Sequence, residues 1–512
     1  MATDPQPAKK SYYFDKGYKD LENTVKGAWQ RNFVSIKEYM NNIKISKSVD
    51  DTKTFIFKLI LNLLAIIGVL IVGSAITLVL STINIAVLLA FMAIVYIGFT
   101  IAWTTDRAYL LRKKIFTACH ECKEKSLIPT YICPTCKEKH TNLTPSVYGI
   151  LKRTCNCGEM LPTTFFKDVG ITDKGDPRFR RDLKAICHNC WNEGRETKLT
   201  DRETVPICIP VVGGRSVGKT AFINAFSKDF IEKVIPAKKW EYERYNDDKS
   251  NIYKQIEVDY QTGDVRATSR VTDTNKASSI SFSFFVKGDE FKPERLIHVY
   301  DIAGEVFTDN NENEIQKQYE YCHGIALIID PFSIPSVRNK YESDLSPEDI
   351  AGIGIADING IVNSFLIKLR EVTGLSDKKM YSVPLAIVIN KADSAGLFNE
   401  LGEGSVNALM KTDPDKYNNE MDVQDYLCRK FLEEYGMGSF LNNITIKFKN
   451  SRFFVCSAIG HSRGKGVYKP EGVMEPMEWL FRKADSIMDR NWQDTNFTKH
   501  PFASKGIEEQ GV

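Results

Sequence analysis

The stretch that decides the fold is residues 207–226, which read ICIPVVGGRSVGKTAFINAF. Its first six residues are apolar, as in a buried strand, and its last residues are typical of a helix. Between them lies the pattern G-x-x-x-x-G-K-[ST], in which backbone N–H groups converge on phosphates at a helix N-terminus. The pattern is filled by Gly213, Gly218, Lys219 and Thr220. The stretch therefore predicts a phosphate-binding loop (P-loop) between a strand and a helix.

The residue types in this loop explain how it would hold a nucleotide. Glycine lets the backbone approach a phosphate closely, Lys219 is predicted to reach the β- and γ-phosphates, and the hydroxyl of Thr220 is predicted to bind Mg²⁺. The rest of the predicted nucleotide-binding loop is Gly214, Arg215, Ser216 and Val217. One residue disagrees with the pattern, because Pro210 lacks the N–H that a central strand needs. We therefore expect the strand to begin at Val211 or to carry a bulge.

Strand-like and helix-like stretches alternate from about residue 205 onward, which is typical of α/β folds. Residues 280–284 alternate apolar and polar side chains, as expected of an antiparallel edge strand. The next strand-like run ends in the pattern D-x-x-G. In this pattern Asp301 is predicted to hold Mg²⁺, usually through water, and Gly304 to offer its N–H to the γ-phosphate. The pattern is informative here because it follows the strand expected beside the P-loop.

The pattern N-K-x-D, filled by Asn390, Lys391 and Asp393 after an apolar run, decides which base is bound. The carboxylate of Asp393 can accept hydrogen bonds from N1–H and N2–H₂ of guanine, and adenine lacks both donors. Such a mismatch costs a factor on the order of 10⁴ at a well-built polar site. A later strand-like run ends in Ser457 and Ala458, and the backbone N–H of the second is predicted to contact guanine O6. Together these residues predict a guanine site.

The motifs GGRSVGKT, DIAG, NKAD and SA occur in this order, and with them the chain resembles the Ras-like (TRAFAC-class) P-loop GTPases. The resemblance spans residues 205–490. It implies an α/β domain at 201–490, with a mostly parallel sheet and flanking helices, that uses GTP, GDP and Mg²⁺ and hydrolyses GTP. The segment is longer than a minimal domain of this family, so we expect insertions at 232–275, 334–357 and 395–444.

Two positions depart from the Ras-like pattern. Glu305 stands where many relatives have the glutamine that orients the attacking water, and a carboxylate cannot donate a hydrogen bond to the γ-phosphate. Arg215 stands where Ras has a glycine; it either sits at the γ-phosphate as a built-in arginine finger or points outward. With Lys219 these are the candidate catalytic residues. The switch threonine that completes the Mg²⁺ site is predicted to be Thr274, with Thr272 as the alternative.

An uncharged run at residues 59–105 predicts a membrane segment. As a helix it is about 70 Å long, whereas a bilayer core is about 30 Å thick. It must therefore fold back on itself or form an unusually long buried helix. We expect a transmembrane hairpin with spans at 55–80 and 85–103 and a turn at 81–84. Basic residues on both flanks predict that both ends face the cytoplasm; they are Lys47, Lys53, Arg107, Arg112, Lys113 and Lys114.

A cytoplasmic N-terminal region at 1–53 precedes this hairpin. No apolar stretch near Met1 fits a cleavable signal. From residue 21 to residue 43, apolar side chains recur at spacings of three and four, which predicts an amphipathic helix. The helix either packs on the protein's own domain or lies on a membrane surface, since basic residues share the segment. At the other end, 491–512 reads as a polar tail.

Eight of the twelve cysteines fall between residues 119 and 190, which predicts a double zinc-ribbon-like module at 106–200. Two cysteine pairs complete one tetrahedral site, so eight ligands predict two structural Zn²⁺ ions with no open coordination position. Disulfides are the alternative, but cytoplasmic thiols stay reduced. The pairs are Cys119/Cys122, Cys133/Cys136, Cys155/Cys157 and Cys187/Cys190. They combine either in a nested order, in which the two inner pairs share one ion, or in an alternating order.

Charge and composition limit the partners. The chain has 512 residues and a net charge of +3, so no global field favours nucleic acid. Basic residues of the cysteine block are mixed with acidic ones, which argues against nucleic acid there as well. The block's histidines are expected to be exposed rather than ligands; they are His120, His140 and His188. The predicted partners are a guanine nucleotide, a lipid bilayer and an unidentified protein, and a homo-oligomer stays open.

With YDIAGE, FFVCSAIG and the cysteine block beside membrane spans, the chain more narrowly resembles the double-GTPase (DO-GTPase) family. Its members are bacterial and linked to conflict, or defence, systems. The resemblance implies a GTP/GDP switch that acts on protein partners, here anchored in the bacterial inner membrane and facing the cytoplasm. One alternative is a GTP-binding scaffold with negligible hydrolysis. Another is a GTP-powered membrane-remodelling protein, against which the expected lack of a long helical stalk argues.

Overall fold

The computed structural model describes the chain in two compact units. One unit comprises Met1–Lys114 and Leu127–Glu203, and the other Ile115–Ser126 and Thr204–Val512. The described residues exclude 1–5, 50, 120–124, 167–178, 195–202, 245–257, 259, 263–280, 302–321, 355–357, 374–380, 414–415, 418, 462–466 and 494–512.

The strands of the described residues are, in chain order, β1 Ala8–Lys9, β2 Thr117–Ala118, β3 Lys125–Ser126, β4 Thr130–Ile132, β5 Lys139–His140, β6 Lys152–Cys155, β7 Met160–Pro162, β8 Ala185–Ile186, β9 Val205–Gly213, β10 Glu241–Arg244, β11 Ser281–Lys287, β12 Arg295–Asp301, β13 Ile325–Ile329, β14 Leu385–Ile389 and β15 Ser451–Val455.

The α-helices of the described residues are α1 Lys16–Val49, α2 Thr52–Gly68, α3 Ser74–Arg112, α4 His188–Asn192, α5 Lys219–Asp229, α6 Ile235–Ala237, α7 Pro335–Tyr341, α8 Pro347–Ala351, α9 Ile358–Thr373, α10 Phe398–Leu401, α11 Glu403–Thr412, α12 Glu420–Glu434, α13 Gly438–Lys447, α14 Met474–Ala484 and α15 Ser486–Gln493. A π-helical turn, Val69–Gly73, joins α2 to α3.

The first unit is dominated by one helical run, Thr52–Arg112, of 61 residues. It is long and apolar enough to cross a membrane, and only 6% of its most apolar window is buried. The expected turn at 81–84 is wrong, because these residues continue α3. Their polar side chains do not break the helix, since Thr82 Oγ1 and Asn84 Nδ2 donate to the carbonyls of Leu78 and Leu80, one turn earlier. Proline and glycine, the usual helix breakers, do not occur at 81–84.

The amphipathic segment forms α1, which packs along α2 and α3. Two polar pairs join α1 to α3. The indole N–H of Trp29 donates to Ser81 Oγ at 3.1 Å, and Asn32 Nδ2 donates to Thr77 Oγ1 at 2.8 Å. The structure therefore packs α1 on the apolar helical run, and the arrangement of α1 at a membrane surface stays a prediction. The long helices also remove the argument that the chain lacks a helical stalk.

A small β-rich module completes the first unit, with sheet orders β1-β6-β7 and β5-β4-β8. A buried ion network ties it to the last turns of α3. Arg180, fully buried, donates from Nε to Glu203 Oε1 at 2.6 Å and from Nη1 to Asp106 Oδ2 at 3.0 Å. The backbone N–H of Phe165 donates to the other oxygen of Asp106, and the Tyr131 hydroxyl donates to Glu203. Both carboxylates are thus paired, as buried charges must be.

The second unit is built on a seven-stranded sheet with the order β10-β11-β12-β9-β13-β14-β15. The five strands from β12 to β15 in this order are parallel, and β10 and β11 are antiparallel additions beside β12. The expected mostly parallel α/β sheet is therefore present. The strand expected at the edge is β11, and β10 covers it on the outer side.

Helices α5 and α14 pack against this sheet through an aromatic core. Phe226 of α5 and Phe230, the residue directly after α5, are fully buried and contact Phe481 of α14 at ring-centroid distances of 5.9 and 5.8 Å. Burial of each such side chain stabilises the fold by about 1.5–3 kcal/mol. The residues expected in a closing helix, Trp479 and Leu480, lie in this core. The core fixes α5, and with it the P-loop, against the sheet.

Pro210 does not interrupt β9, which runs without a break from Val205 to Gly213. Pairing with β12 covers residues 205–211, whereas pairing with β13 begins at Val211. The N–H of Cys208 faces the β13 side, where it donates to His323 Nδ1. Pro210, two residues on, faces the same side, before the ladder with β13 begins. The missing N–H therefore costs no ladder hydrogen bond, and the strand needs neither the late start nor the bulge.

Candidate functional site

The P-loop connects the end of β9 to the start of α5 in the middle of the sheet. Gly218 caps α5 with φ 90° and ψ 25°, a left-handed conformation that favours glycine. A Cβ atom at this position would lie 2.4 Å from Asn390 Nδ2. The second glycine of the motif is therefore required both by its backbone conformation and by the close approach of the N-K-x-D loop.

Lys219 is held across the loop that precedes it. Its ammonium donates to the carbonyls of Gly213 at 3.1 Å and Gly214 at 2.7 Å, and its side chain is 4% exposed. A buried ammonium inside a ring of backbone groups is placed to pair with phosphate oxygens. By contrast, Arg215 and Ser216 at the tip of the loop are exposed. The role of Arg215 at a γ-phosphate therefore stays a prediction.

Asp301 and Thr220 supply oxygen atoms beside the P-loop. Asp301 ends β12, the parallel neighbour of β9, and Thr220 Oγ1 donates to its Oδ2 at 2.6 Å. Its Oδ1 is buried and has no hydrogen-bond partner among the described residues. Burial raises the pKa of Asp301, an effect that Lys219 and Thr220 oppose. An unpartnered buried carboxylate oxygen next to a hydroxyl fits the oxygen ligands and water shell of Mg²⁺.

Asn390 brings three loops together. Its Nδ2 donates to the carbonyl of Val217 in the P-loop at 2.9 Å. Its Oδ1 accepts from the backbone N–H of Ala458 at 3.1 Å and from the thiol of Cys456. The phosphate loop, the N-K-x-D loop and the S-A loop are thus joined by the side chain of one buried residue.

Asp393 lies in the same group of loops. The Ser457 hydroxyl donates to its Oδ1, and the backbone N–H of Gly460 donates in turn to Ser457 Oγ at 2.8 Å. Burial raises the pKa of Asp393, and the Ser457 hydrogen bond opposes this. Ser457 therefore orients the carboxylate that is predicted to read the base, a role that the motif alone does not indicate.

Four predicted site residues fall outside the described part of the chain. They are Gly304, Glu305, Thr272 and Thr274. One contact of the site was missed from the sequence. Lys391 Nζ donates to Asp330 Oδ2 at 2.6 Å, and Asp330 is fully buried. The available signal was the position of Asp330 at the end of an apolar strand, as with Asp301, but nothing in the sequence indicated its partner.

The inner cysteines form a candidate metal centre in the first unit. The Sγ atoms of Cys133, Cys136, Cys155 and Cys157 all lie within 4.8 Å of one another. This is the grouping of the nested arrangement. The backbone N–H of Glu159 lowers the pKa of Cys157, which favours the thiolate that a metal needs. Four sulfur donors at this spacing fit a structural Zn²⁺.

The outer cysteines are divided between the units. Cys187 and Cys190 are buried in the first unit, Cys119 is buried in the second, and Cys122 lies outside the described residues. A second Zn²⁺ therefore stays a prediction. The expectation that His140 is exposed is wrong: it is fully buried, and neither ring nitrogen has a hydrogen-bond partner among the described residues. His188 is exposed as expected, and His120 lies outside the described range.

A family model described as Double-GTPase 2 matches residues 207–427, from the P-loop strand to beyond the N-K-x-D motif. Solved structures that resemble part of the chain include the S. cerevisiae Ski7 GTPase-like domain bound to GTP. That pair has a TM-score of 0.24 and 12% identity, and the alignment covers 57% of this chain and 52% of the Ski7 chain. Sup35 complexed with GMPPNP gives a TM-score of 0.20 and 12% identity, with 49% and 37% of the two chains covered. No curated protein matches the sequence.

The aligned part thus spans about half of the Ski7 chain. The family match covers the segment that contains the P-loop, Asp301 and the N-K-x-D motif. Together with the site geometry it supports an α/β P-loop GTPase, similar to the double-GTPases, that binds GTP.

Proposed function

We propose that this protein is a membrane-anchored GTPase that switches between GTP- and GDP-bound forms to act on protein partners. One observation carries the nucleotide part of the proposal. The side chain of Asn390 bonds to both the P-loop and the S-A loop, so the residues predicted to hold phosphate and those predicted to read guanine belong to one site. The match to Double-GTPase 2 supports the GTPase assignment. We propose bacterial conflict systems as the place to search for partners, because the resemblance to the double-GTPase family implies that role.

The residues of this chain have separate tasks in the proposed hydrolysis. Lys219 pairs with the β- and γ-phosphates, and Asp393 selects guanine. Thr220 and Asp301 are proposed to hold Mg²⁺, with Thr274 as the third contributor. When bound, Mg²⁺ neutralises charge that develops on the phosphate oxygens. Glu305 is proposed to align the attacking water as a hydrogen-bond acceptor.

Nucleotide binding tests the proposal directly. The full-length chain in detergent should bind GTP and GDP in the presence of Mg²⁺ and should not bind ATP. Asp393→Asn should shift the preference toward xanthine nucleotides, because their extra carbonyl accepts from an amide. The matched control is Asp344→Asn, an exposed position in the same unit. Equal affinity of the wild type for ATP and GTP would contradict the proposal.

Membrane attachment is proposed from the helical run Thr52–Arg112. Its large apolar residues are exposed along most of its length, whereas soluble monomers rarely show continuous apolar patches above a few hundred Å². A lipid bilayer is the environment that matches such a surface. The basic flanks support the proposal that the GTPase domain faces the cytoplasm, which in a bacterium means the inner face of the inner membrane.

The long helices also give the membrane-remodelling alternative a structural basis. Helix α1 has 34 residues and packs along α2 and α3, so a rod-like helical element is present in the described part of the chain. A remodelling protein should assemble on liposomes in a GTP-dependent way and change their shape, visible by electron microscopy. A switch should instead bind liposomes equally with GTP and GDP and leave their shape unchanged.

A further inference from the structure

Asp330, directly after β13, is buried and surrounded by donors. One carboxylate oxygen accepts from the backbone N–H of Phe332 at 3.0 Å. The other accepts from the backbone N–H of Gly354 at 3.0 Å and from Lys391 Nζ at 2.6 Å. The ion pair with Lys391 is largely removed from water, since Asp330 is fully buried and the Lys391 side chain is 24% exposed. This aspartate therefore binds a lysine of the N-K-x-D motif and a backbone segment from elsewhere in the chain.

That backbone segment lies against the P-loop. Lys391 Nζ also donates to the carbonyl of Gly352 at 2.7 Å, so Asp330 and Lys391 hold residues 352–354 from both ends. A Cβ atom on Gly354 would lie 3.1 Å from the carbonyl oxygen of Arg215. The segment thus touches the P-loop backbone at Arg215, two residues from the Val217 carbonyl that Asn390 binds.

We infer that Asp330 is a positioning residue for guanine nucleotide binding. Through Lys391 and the 352–354 segment it fixes the base-reading loop and the phosphate loop at one mutual spacing. The inference rests on the proposed function, because it concerns the same nucleotide site. When the spacing of the two loops is already fixed in the free protein, less conformational entropy is lost on binding. A nucleotide that contacts both loops therefore binds more tightly and dissociates more slowly.

Dissociation of a fluorescent GDP from the full-length protein tests this role. Asp330→Asn keeps the shape of the side chain but removes its charge. It also puts an amide NH₂ group at the position to which the Gly354 N–H and Lys391 Nζ now donate. Lys391→Met removes the other half of the pair. Each variant should release GDP about tenfold faster, as expected for broken contacts in a coupled pair. The matched control, Asp344→Asn in the same connection, should release GDP at the wild-type rate.

The double variant separates positioning from a general loss of stability. Because Asp330 and Lys391 hold the same 352–354 segment, Asp330→Asn with Lys391→Met should speed GDP release by clearly less than the product of the two single effects. The ratio of GDP to xanthosine diphosphate affinity should stay at the wild-type value, because Asp393 is unchanged. Additive effects in the double variant, or a wild-type rate for Asp330→Asn, would overturn the inference.

A second variant covers the case in which Asp330→Asn does not fold. Gly354→Ala leaves Asp330 and Lys391 intact but places a methyl group against the Arg215 carbonyl, so it should also speed GDP release. A wild-type rate for Gly354→Ala would contradict the inference. If the wild type itself fails to bind guanine nucleotides, the proposed function fails instead, and the two results cannot be confused.

Discussion

Asp393 is partly buried, yet it has to be charged in order to read guanine. Burial raises its pKa above that of an ordinary aspartate, so it takes up a proton at a higher pH as the solution is acidified. A protonated carboxyl cannot accept from both guanine donors. GDP affinity should therefore fall as the pH is lowered from neutrality through this raised pKa.

A titration with fluorescent GDP at a series of pH values checks the expectation. Burial also raises the pKa of Asp301, so the titration is made at one saturating Mg²⁺ concentration, and Asp393→Asn, which keeps Asp301, is the control. The variant should show a flatter pH profile than the wild type. Identical profiles for the two proteins would mean that Asp393 does not read the base.

The role of Arg215 determines the rate of GTP hydrolysis in the absence of a partner protein. If it stabilises charge on the γ-phosphate, Arg215→Ala should slow single-turnover hydrolysis about 10³-fold or more while GTP still binds. Glu305→Gln should then be tolerated, because the glutamate only aligns water. Unchanged turnover in Arg215→Ala would refute the internal finger. A partner protein would then have to supply the missing charge.

The cysteine knuckles are elements that we expect to fold only with metal. Cys136→Ser removes one of four clustered sulfurs, and metal-binding energy is folding energy in such modules. The variant should lose the tertiary structure of the module and bind one Zn²⁺ fewer than the two per chain expected of the wild type. Asn156→Ser, an exposed change between two of the cysteines, is the control. Wild-type protein without zinc, prepared without chelators, would contradict the prediction.

The joint between α3 and the β-rich module depends on Arg180. Arg180→Met leaves Asp106 and Glu203 as buried charges without their partner, which costs about 3–5 kcal/mol of stability. The melting temperature of the first unit should fall clearly. The neighbouring Arg181→Met, which removes only a partly exposed guanidinium stacked on Phe179, should have a much smaller effect. Equal melting temperatures for the two variants would refute a stabilising role for the network.

For the whole molecule, the proposed membrane attachment predicts a topology for the apolar run. Its uncharged part is about twice as long as a bilayer core is thick, so a single straight crossing would leave many apolar residues in water. Reporter fusions after Lys53 and after Lys114 should therefore both report cytoplasm, in agreement with the basic flanks. This requires the helix to break, which the described structure does not show. Reporters on opposite sides would mean that the helix crosses once and stays continuous.

Local sequence patterns predicted the strands and motif loops of this fold. They did not predict contacts between residues that are distant in sequence. The P-loop, the Asp301 strand and the N-K-x-D strand were found because each motif sits directly beside its own strand. The turn at 81–84 was wrong because chain length, and not a helix-breaking residue, suggested it. Asp330 was missed because its partners Lys391 and Gly354 are distant in sequence. The burial of His140 likewise depends on how the module packs, which its own sequence does not reveal.

The network of Asp106, Arg180 and Glu203 has a mechanical consequence. Asp106 belongs to the apolar helical run, and Glu203 immediately precedes Thr204, the residue at which the chain enters the nucleotide unit. Tension on the helix is therefore carried by these ion pairs into the β-rich module, up to Glu203 at the end of the first unit. In a single-molecule pulling experiment, Arg180→Met should make the chain yield at this joint at a lower force than the wild type does.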